Sequence, residues 1–356
     1  NPKNYLSLAP ILFKVLTESQ NNWMLIKIVK LLAALTPVEP RLARKLVEPL
    51  TSLINATPAM SLLYECIQLC TVGLSQHVPI MRLCIGKLRM FVEDSDQNLK
   101  YLGLVALGSI MKIHPKAVAE HRDLILACLD DPDISIRQRA LSLLNGLVSK
   151  RNLADIARKL IEHAHAAEPA PSDDGTDEFV VKPKGRAYVD DLVTKVIELC
   201  SMNSYQHLTD FEWYVAALVE LTRVRGMTSG ELVAEQFTNV AVRVPSVRPF
   251  AVRQLALLLG ERRFLVGQTR VRGPCEALAA AAFVCGEYAE FVPKRTQLTQ
   301  RLLVADAVAL PGHVQAHYLQ AALKVFAFSA KNDNNQARLI EEMRVLLKPF
   351  QESQHL

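Results

Sequence analysis

Aromatic side chains make up only 6 % of this chain, with two tryptophans, and glycine is held to 14 of 356 residues. Aromatics this sparse offer no platform on which successive nucleic-acid bases could stack. Little glycine and 18 prolines exclude a fibrous or low-complexity chain. No apolar run reaches the about 18 residues a membrane-spanning helix needs, and no secretory leader is visible. The formal charge is +5, from 41 basic and 36 acidic side chains. That is too mild for a nucleic-acid surface, so nucleic acid is not an expected partner. The seven cysteines are odd in number and irregular in spacing. They read as buried thiols in a reducing compartment rather than as a disulfide framework. Glycine-rich phosphate loops, nucleophile elbows and zinc-hydrolase strings are missing. The expectation is a protein that is not an enzyme and holds no cofactor.

What is present is helix. Half the residues are apolar, and they recur at helical spacing almost throughout. About seventeen helices are expected, among them 95–113, 115–129, 132–148, 188–201 and 293–309. Pro58, Pro79, Pro115, Pro132, Pro245 and Pro293 fall near helix starts, where a missing N–H costs little. Connections of two to five residues imply antiparallel neighbours. The stretch 168–187 is acidic and then basic, and poor in apolar residues, so it reads as a flexible loop. It divides the chain into helical blocks at 1–167 and 188–356, within one continuous array. A chain of 356 residues also strains a single core, which stops growing near roughly 250–300 residues. The first residue is Asn1 rather than methionine, so the chain is expected to be a segment of a longer protein.

A repeat explains how so long a chain can fold. Asp94-Ser-Asp96-Gln-Asn-Leu99-Lys100 and Asp131-Pro-Asp133-Ile-Ser-Ile136-Arg137 align at an offset of 37 residues. Self-similarity at that period marks stacked helix pairs, each packed only on its neighbours. Every position has a physical reason. Asp96 or Asp133 can accept N–H bonds at a helix start. Leu99 or Ile136 opens the buried stripe, and Lys100 or Arg137 follows. Gly103 or Ala140 lets an adjacent helix approach. Leu104, Leu107 and Ile110 match Leu141, Leu144 and Leu147 on one helix face.

This string resembles HEAT and armadillo repeats, which implies an all-α solenoid of antiparallel paired helices. Longer strings resemble the trunks of clathrin-adaptor large subunits. They are Asn1-Pro-Lys-Asn-Tyr5-Leu-Ser-Leu-Ala-Pro10, Asn21-Asn-Trp23-Met-Leu-Ile-Lys-Ile-Val-Lys30, Leu35-Thr-Pro-Val-Glu-Pro40 and Met60-Ser-Leu-Leu-Tyr64-Glu-Cys66. Phe211-Glu212-Trp213-Tyr214, Cys285-Gly286-Glu287-Tyr288 and Leu310-Pro-Gly-His313 carry the same resemblance. It implies a non-catalytic vesicle-coat scaffold within a heterotetramer, cradling a small sigma-type subunit beside the other adaptor subunits. A small GTPase and an anionic membrane surface are implied partners through the complex. The implied place is cytoplasmic, peripheral on Golgi and endosomal membranes, with cargo sorted to lysosome or vacuole. The repeat by itself also admits a HEAT scaffold of another class, a nuclear transport receptor or phosphatase regulatory subunit.

Contact residues follow from charge and aromaticity. Arg41, Arg44 and Lys45 form one basic cluster, and Lys150, Arg151, Arg158 and Lys159 another. Arg243, Arg248, Arg253, Arg262, Arg263, Arg270 and Arg272 enrich a third. Each is a solvated helix face or a contact for anionic lipid or an acidic partner. Trp213 is a candidate subunit anchor beside Phe211 and Tyr214, which read as core. Glu287 reads as a cap or a local pair. His313 and His317, and Cys66 and Cys70, stand four apart on helices. Neither pair has the further ligands a metal needs, so no metal is expected.

Overall fold

The structure, a computed structural model, describes residues 1–166, 183–264, 272–330 and 336–351. Among these there are eighteen α-helices, short 3-10 segments and no strand. The architecture is the expected α-solenoid. Its contacts form two compact units, Asn1–Leu147 and Val148–Leu356. That boundary lies earlier than the expected division. Residues 167–182, most of the expected loop, lie outside the described residues, and 183–187 are helical instead.

The first unit holds α1 (Ala9–Glu18), α2 (Asn22–Leu35), α3 (Pro40–Ala56), α4 (Met60–Gly73), α5 (Val78–Glu93), α6 (Gln97–Met111), α7 (Pro115–Ala119), α8 (Arg122–Ala127) and α9 (Ile134–Leu143). Here α1, α3, α5 and α7 pack in sequence as one layer, and α2, α4, α6 and α9 as the other. The second unit holds α10 (Leu153–Ala166), α11 (Pro183–Tyr205), α12 (Phe211–Thr222), α13 (Gly230–Arg243), α14 (Arg248–Leu258), α15 (Arg272–Glu287), α16 (Arg295–Leu302), α17 (Gly312–Ala330) and α18 (Gln336–Gln351). Its layers are α10, α12 and α14 against α11, α13, α15 and α17.

Helix starts follow local chemistry. Asn21 accepts the N–H groups of Trp23 and Met24. The Asp96 carboxylate accepts from Asn98 at 2.7 Å, and Asp133 from Ser135 at 2.7 Å. Such caps satisfy donors that the first turn leaves open. Three expected helices are shorter or broken. The span 115–129 divides into α7, α8 and a 3-10 turn. The span 132–148 ends as α9 plus a 3-10 turn, and 293–309 as α16 plus another. Periodicity marks the buried face but does not separate α from 3-10 turns at helix ends.

The 37-residue offset returns as contact geometry. In the second unit the Glu276 carboxylate meets His313 at 2.9 Å, and Glu287 meets Lys324, joining α15 to α17 at both ends. Both pairs are separated by 37 residues, as Asp94 is from Asp131. Neighbouring offsets serve elsewhere. Arg139 donates to the Tyr101 hydroxyl at 3.1 Å, and Arg223 to Glu261 at 2.6 Å, each 38 apart. Asp190 accepts from Thr228 and Ser229 at the start of α13. The period seen in one unit is thus the distance along the chain between stacked helices in both.

One segment runs against backbone preference. Asn203, Ser204 and Tyr205 have φ of 48°, 57° and 64°. Left-handed backbone costs a non-glycine L-residue about 1–2 kcal/mol. Tyr205 holds the turn in place. Its ring packs edge-on against Phe211 at 5.5 Å, and its hydroxyl donates to Gln236 at 2.9 Å. Replacing Ser204 by Gly should therefore raise the melting temperature by about 2–4 °C, since strain relief exceeds the added freedom of the unfolded chain. A thermal melt that falls instead would show that the serine side chain is needed there.

Candidate interaction surfaces

The repeat residues do what a stacking unit requires. Ile136 is buried, whereas Leu99 is half-buried. Lys100 donates to Asp131 at 2.9 Å, tying α6 to the turn before α9. The Asp131 side chain also accepts the Asp133 N–H at 2.9 Å, so this carboxylate orders the turn while it neutralises the lysine. A Cβ on Gly103 would stand 2.9 Å from Val92 and 3.0 Å from Phe91, so α6 touches α5 through backbone. Arg137 is half-buried. These residues build the array rather than a pocket.

The seven cysteines are free and buried. Burial pushes the thiols of Cys66, Cys200 and Cys285 up to about 12, and that of Cys128 up to about 11. The Cys70 thiol is raised by its hydrogen bond to Cys84 and by burial. Thiolate is the reactive form. A native chain at pH 8 should therefore react slowly with a disulfide reagent, and all seven thiols should appear only in denaturant. Rapid native labelling would contradict the packing. The same shift sets a pH window. Folded thiols hold their protons more tightly than unfolded ones, so this contribution is full below about pH 8.5 and is lost as pH rises beyond it.

Basic residues divide into two kinds. Arg41, Arg44 and Lys45 stand exposed on α3, opposite its buried face of Leu42, Leu46, Leu50 and Ile54. Lys14 on α1 and Arg82 on α5 extend the same layer, and none of the five pairs with a carboxylate among the described residues. Arg253 is exposed on α14. Arg158 is exposed with Asp155 at 3.9 Å, and Lys159 is half-buried.

Arg248 corrects its expected role. It donates to the carbonyls of Ala241 and Val242 at 2.9 and 3.0 Å and lies 4.5 Å over the Tyr288 ring. Arg295 repeats the device on Ala289, Glu290 and Phe328. Each guanidinium satisfies carbonyls just before its own helix and stacks on an aromatic of the next pair. Its donors are used inside the fold, so Arg248 is not offered to a partner. Arg263 pairs with Glu261 at 2.7 Å. Arg270 lies outside the described residues, as does the side chain of Arg272.

Trp213 is half-buried in the first turn of α12, and its backbone N–H is capped by Asp210. The rest of that string is core. Tyr214 is buried and donates to Gln236 at 3.1 Å, and Phe211 packs on Tyr205. The other tryptophan is the more exposed. Trp23 is 80 % exposed at the start of α2, beside exposed Met24, Lys27 and Leu31. Sequence reasoning misses it because Trp23 sits in an apolar run that reads as core on all sides.

His313 pairs with Glu276, and His317 is half-buried. Among the described residues no cluster of His, Cys, Asp or Glu could hold a metal, and no helix is long and apolar enough to cross a membrane. The arrangement presents surfaces rather than a cleft with convergent reactive groups.

Comparison with known proteins places these surfaces. The family described as Adaptin N terminal region matches residues 1–355. AP-3 complex subunit delta-1 of Bos taurus is 49 % identical over 334 residues, covering 92 % of this chain and 26 % of that protein. AP-3 complex subunit delta of Dictyostelium discoideum is 50 % identical over 335 residues, covering 94 % and 28 %. The chain thus spans about a quarter of the length of these curated relatives. A solved structure, described as a homology model of the full-length AP-3 complex in an intermediate open conformation, superposes with a TM-score of 0.75 at 25 % identity. That match covers 99 % of this chain and 63 % of the other. The strings Phe211–Tyr214 and Leu310–Ala316, which within the adaptor family most resemble the delta subunit of adaptor protein complex 3, agree with these relatives.

Proposed function

The chain belongs to the family described as the adaptin N terminal region, and from that premise we propose that it is a trunk segment of a delta-type large subunit of a vesicle-coat adaptor. The observation that carries this reading is the identity of about half to AP-3 delta subunits along more than nine-tenths of the chain. Its work is mechanical. The stacked pairs hold a small sigma-type subunit and position the other subunits of a heterotetramer. The assembled coat sits peripherally on Golgi and endosomal membranes, recruited by a small GTPase, and sorts membrane cargo to lysosome or vacuole. No step of this work needs a reacting side chain. The other HEAT-scaffold classes share the repeat but have no reason to share the strings around Trp23 and Tyr64.

The test is co-expression of the intact large subunit with the small, medium and second large adaptor subunits. Recovery of a stable four-subunit complex on one tag is expected. Recovery of nuclear-transport or phosphatase components without coat subunits would sink the reading. The free cations of α1, α3 and α5 supply the membrane contact in this proposal, each near an anionic surface contributing about 1 kcal/mol. Reversing Arg41, Arg44 and Lys45 to Glu should therefore lower binding of the complex to phosphatidylserine vesicles roughly tenfold or more at low salt. Binding unchanged by that reversal would move the membrane contact elsewhere.

A further inference from the structure

Helix α2 buries Leu25, Ile28, Val29, Leu32 and Leu35. At helical spacing on its other side stand Trp23, Lys27, Lys30, Leu31 and Ala34, a stripe about three turns long. Four of these are exposed with no role in the core, and Lys30 only reaches across to Glu65 of α4 at 3.0 Å while staying 55 % exposed. An isolated exposed apolar residue needs no explanation. This one is not isolated. Of sixteen exposed large apolar side chains among the described residues, six are Tyr5, Leu8, Ile11, Trp23, Met24 and Leu31. Leu31 and Ala34 also form one wall of a groove of about 260 Å³ whose other wall is Tyr5, Leu8 and Leu12.

The charge of the stripe limits what can cover it. Its ionic groups are both lysines. Lys27 pairs with no carboxylate among the described residues, and the one nearby acid, Glu65, is already engaged by Lys30. A basic or purely apolar partner would leave Lys27 desolvated and unpaired. A straight stripe beside an apolar groove fits a helix laid along it, with anchors at i, i+3, i+4 and i+7. An indole that becomes fully covered is the side chain most often found to dominate an interface.

We infer that the solvent face of α2 docks an amphipathic helix of another adaptor subunit, apolar where it meets Trp23 and Leu31 and carrying carboxylates opposite Lys27. This rests on the adaptor reading, because it takes the occupant from the same complex. In the assembled complex Trp23 is then covered, and its loss weakens the docked subunit without touching the fold of the trunk.

A benzophenone-bearing residue placed at position 23 of the intact subunit, within the co-expressed complex, reads the occupant directly. The expected product is a crosslink to an acidic amphipathic helix of a different subunit. A crosslink within the large subunit itself, to a second copy, or to a basic or non-helical segment overturns the inference. So does no crosslink from a complex that otherwise forms. If no complex forms with the unaltered chain, the adaptor reading fails first and takes the inference with it. Trp23→Ala should weaken the docked subunit about 10- to 100-fold while the melting of the large subunit stays unchanged. Lys27→Glu should weaken it less, with a loss that shrinks as salt rises.

Discussion

Leu104→Asp removes about 4 kcal/mol or more from the first unit, enough to leave much of it unfolded at 37 °C. Leu104 is fully buried on α6, in the stripe with Leu107 and Ile110. Losing the packed side chain costs about 2–5 kcal/mol when the space left cannot collapse. The carboxylate adds the cost of burying a polar group with no partner. A whole domain is stable by only about 5–15 kcal/mol, so one such change takes a large share. Leu141→Asp, one repeat later on α9, should behave alike because Leu141 is also buried. The sign of the pH dependence separates this cause from a general loosening. A buried acid binds its proton more tightly folded than unfolded, so the deficit narrows as pH falls from 8 towards 5. Leu104→Met keeps the volume and should cost less than about 1.5 kcal/mol. Circular-dichroism melts of the three variants decide it. Unchanged melting of Leu104→Asp would place that position outside the core.

The array is legible in the sequence because its logic is local and periodic. Asp96 and Asp133 precede their helices and cap them, and the apolar stripes turn inward as spacing demands. The period itself can be read as an offset between two strings, and it is found again between paired side chains of α15 and α17. What the sequence does not disclose is what side chains do once helices stack. Arg248 and Arg295 look like surface charge until the preceding carbonyls and the next aromatic are in place. The left-handed turn at Asn203–Tyr205 carries no glycine to announce it, because tertiary contacts of Tyr205 impose it. Trp23 is hidden for the opposite reason. Hydrophobicity reports the tendency to be covered, and a docking anchor shares that tendency with a core residue. Only the packing shows that no part of the first unit covers it.

Gly286→Val is the second large effect, about 3 kcal/mol or more lost from the second unit. Gly286 lies on α15 where α17 crosses closely. A Cβ there would stand 2.9 Å from the Cα of Ala321 and 3.2 Å from its Cβ. The first of those atoms is backbone, so no rotamer change makes room, and the two helices must separate. Separation also loosens the ties on either side of the crossing, Glu276 to His313 and Glu287 to Lys324. Glu287 reads in the sequence as a local cap or pair; it reaches the neighbouring helix instead, so it depends on the same spacing. Gly86 supplies the control. It is exposed inside α5, and a Cβ there would meet nothing within 4 Å. Alanine at that position gains helix propensity with no clash, so Gly86→Ala should raise stability by about 0.5–1 kcal/mol. The same propensity gain acts at Gly286, which is why Gly286→Ala should cost much less than the valine. Ala321→Gly in the valine background removes the opposing methyl but leaves the backbone of α17 in the way, so it should restore only part of the loss. Equal melting of Gly286→Val and the unaltered chain would mean that α15 and α17 are not held at this distance.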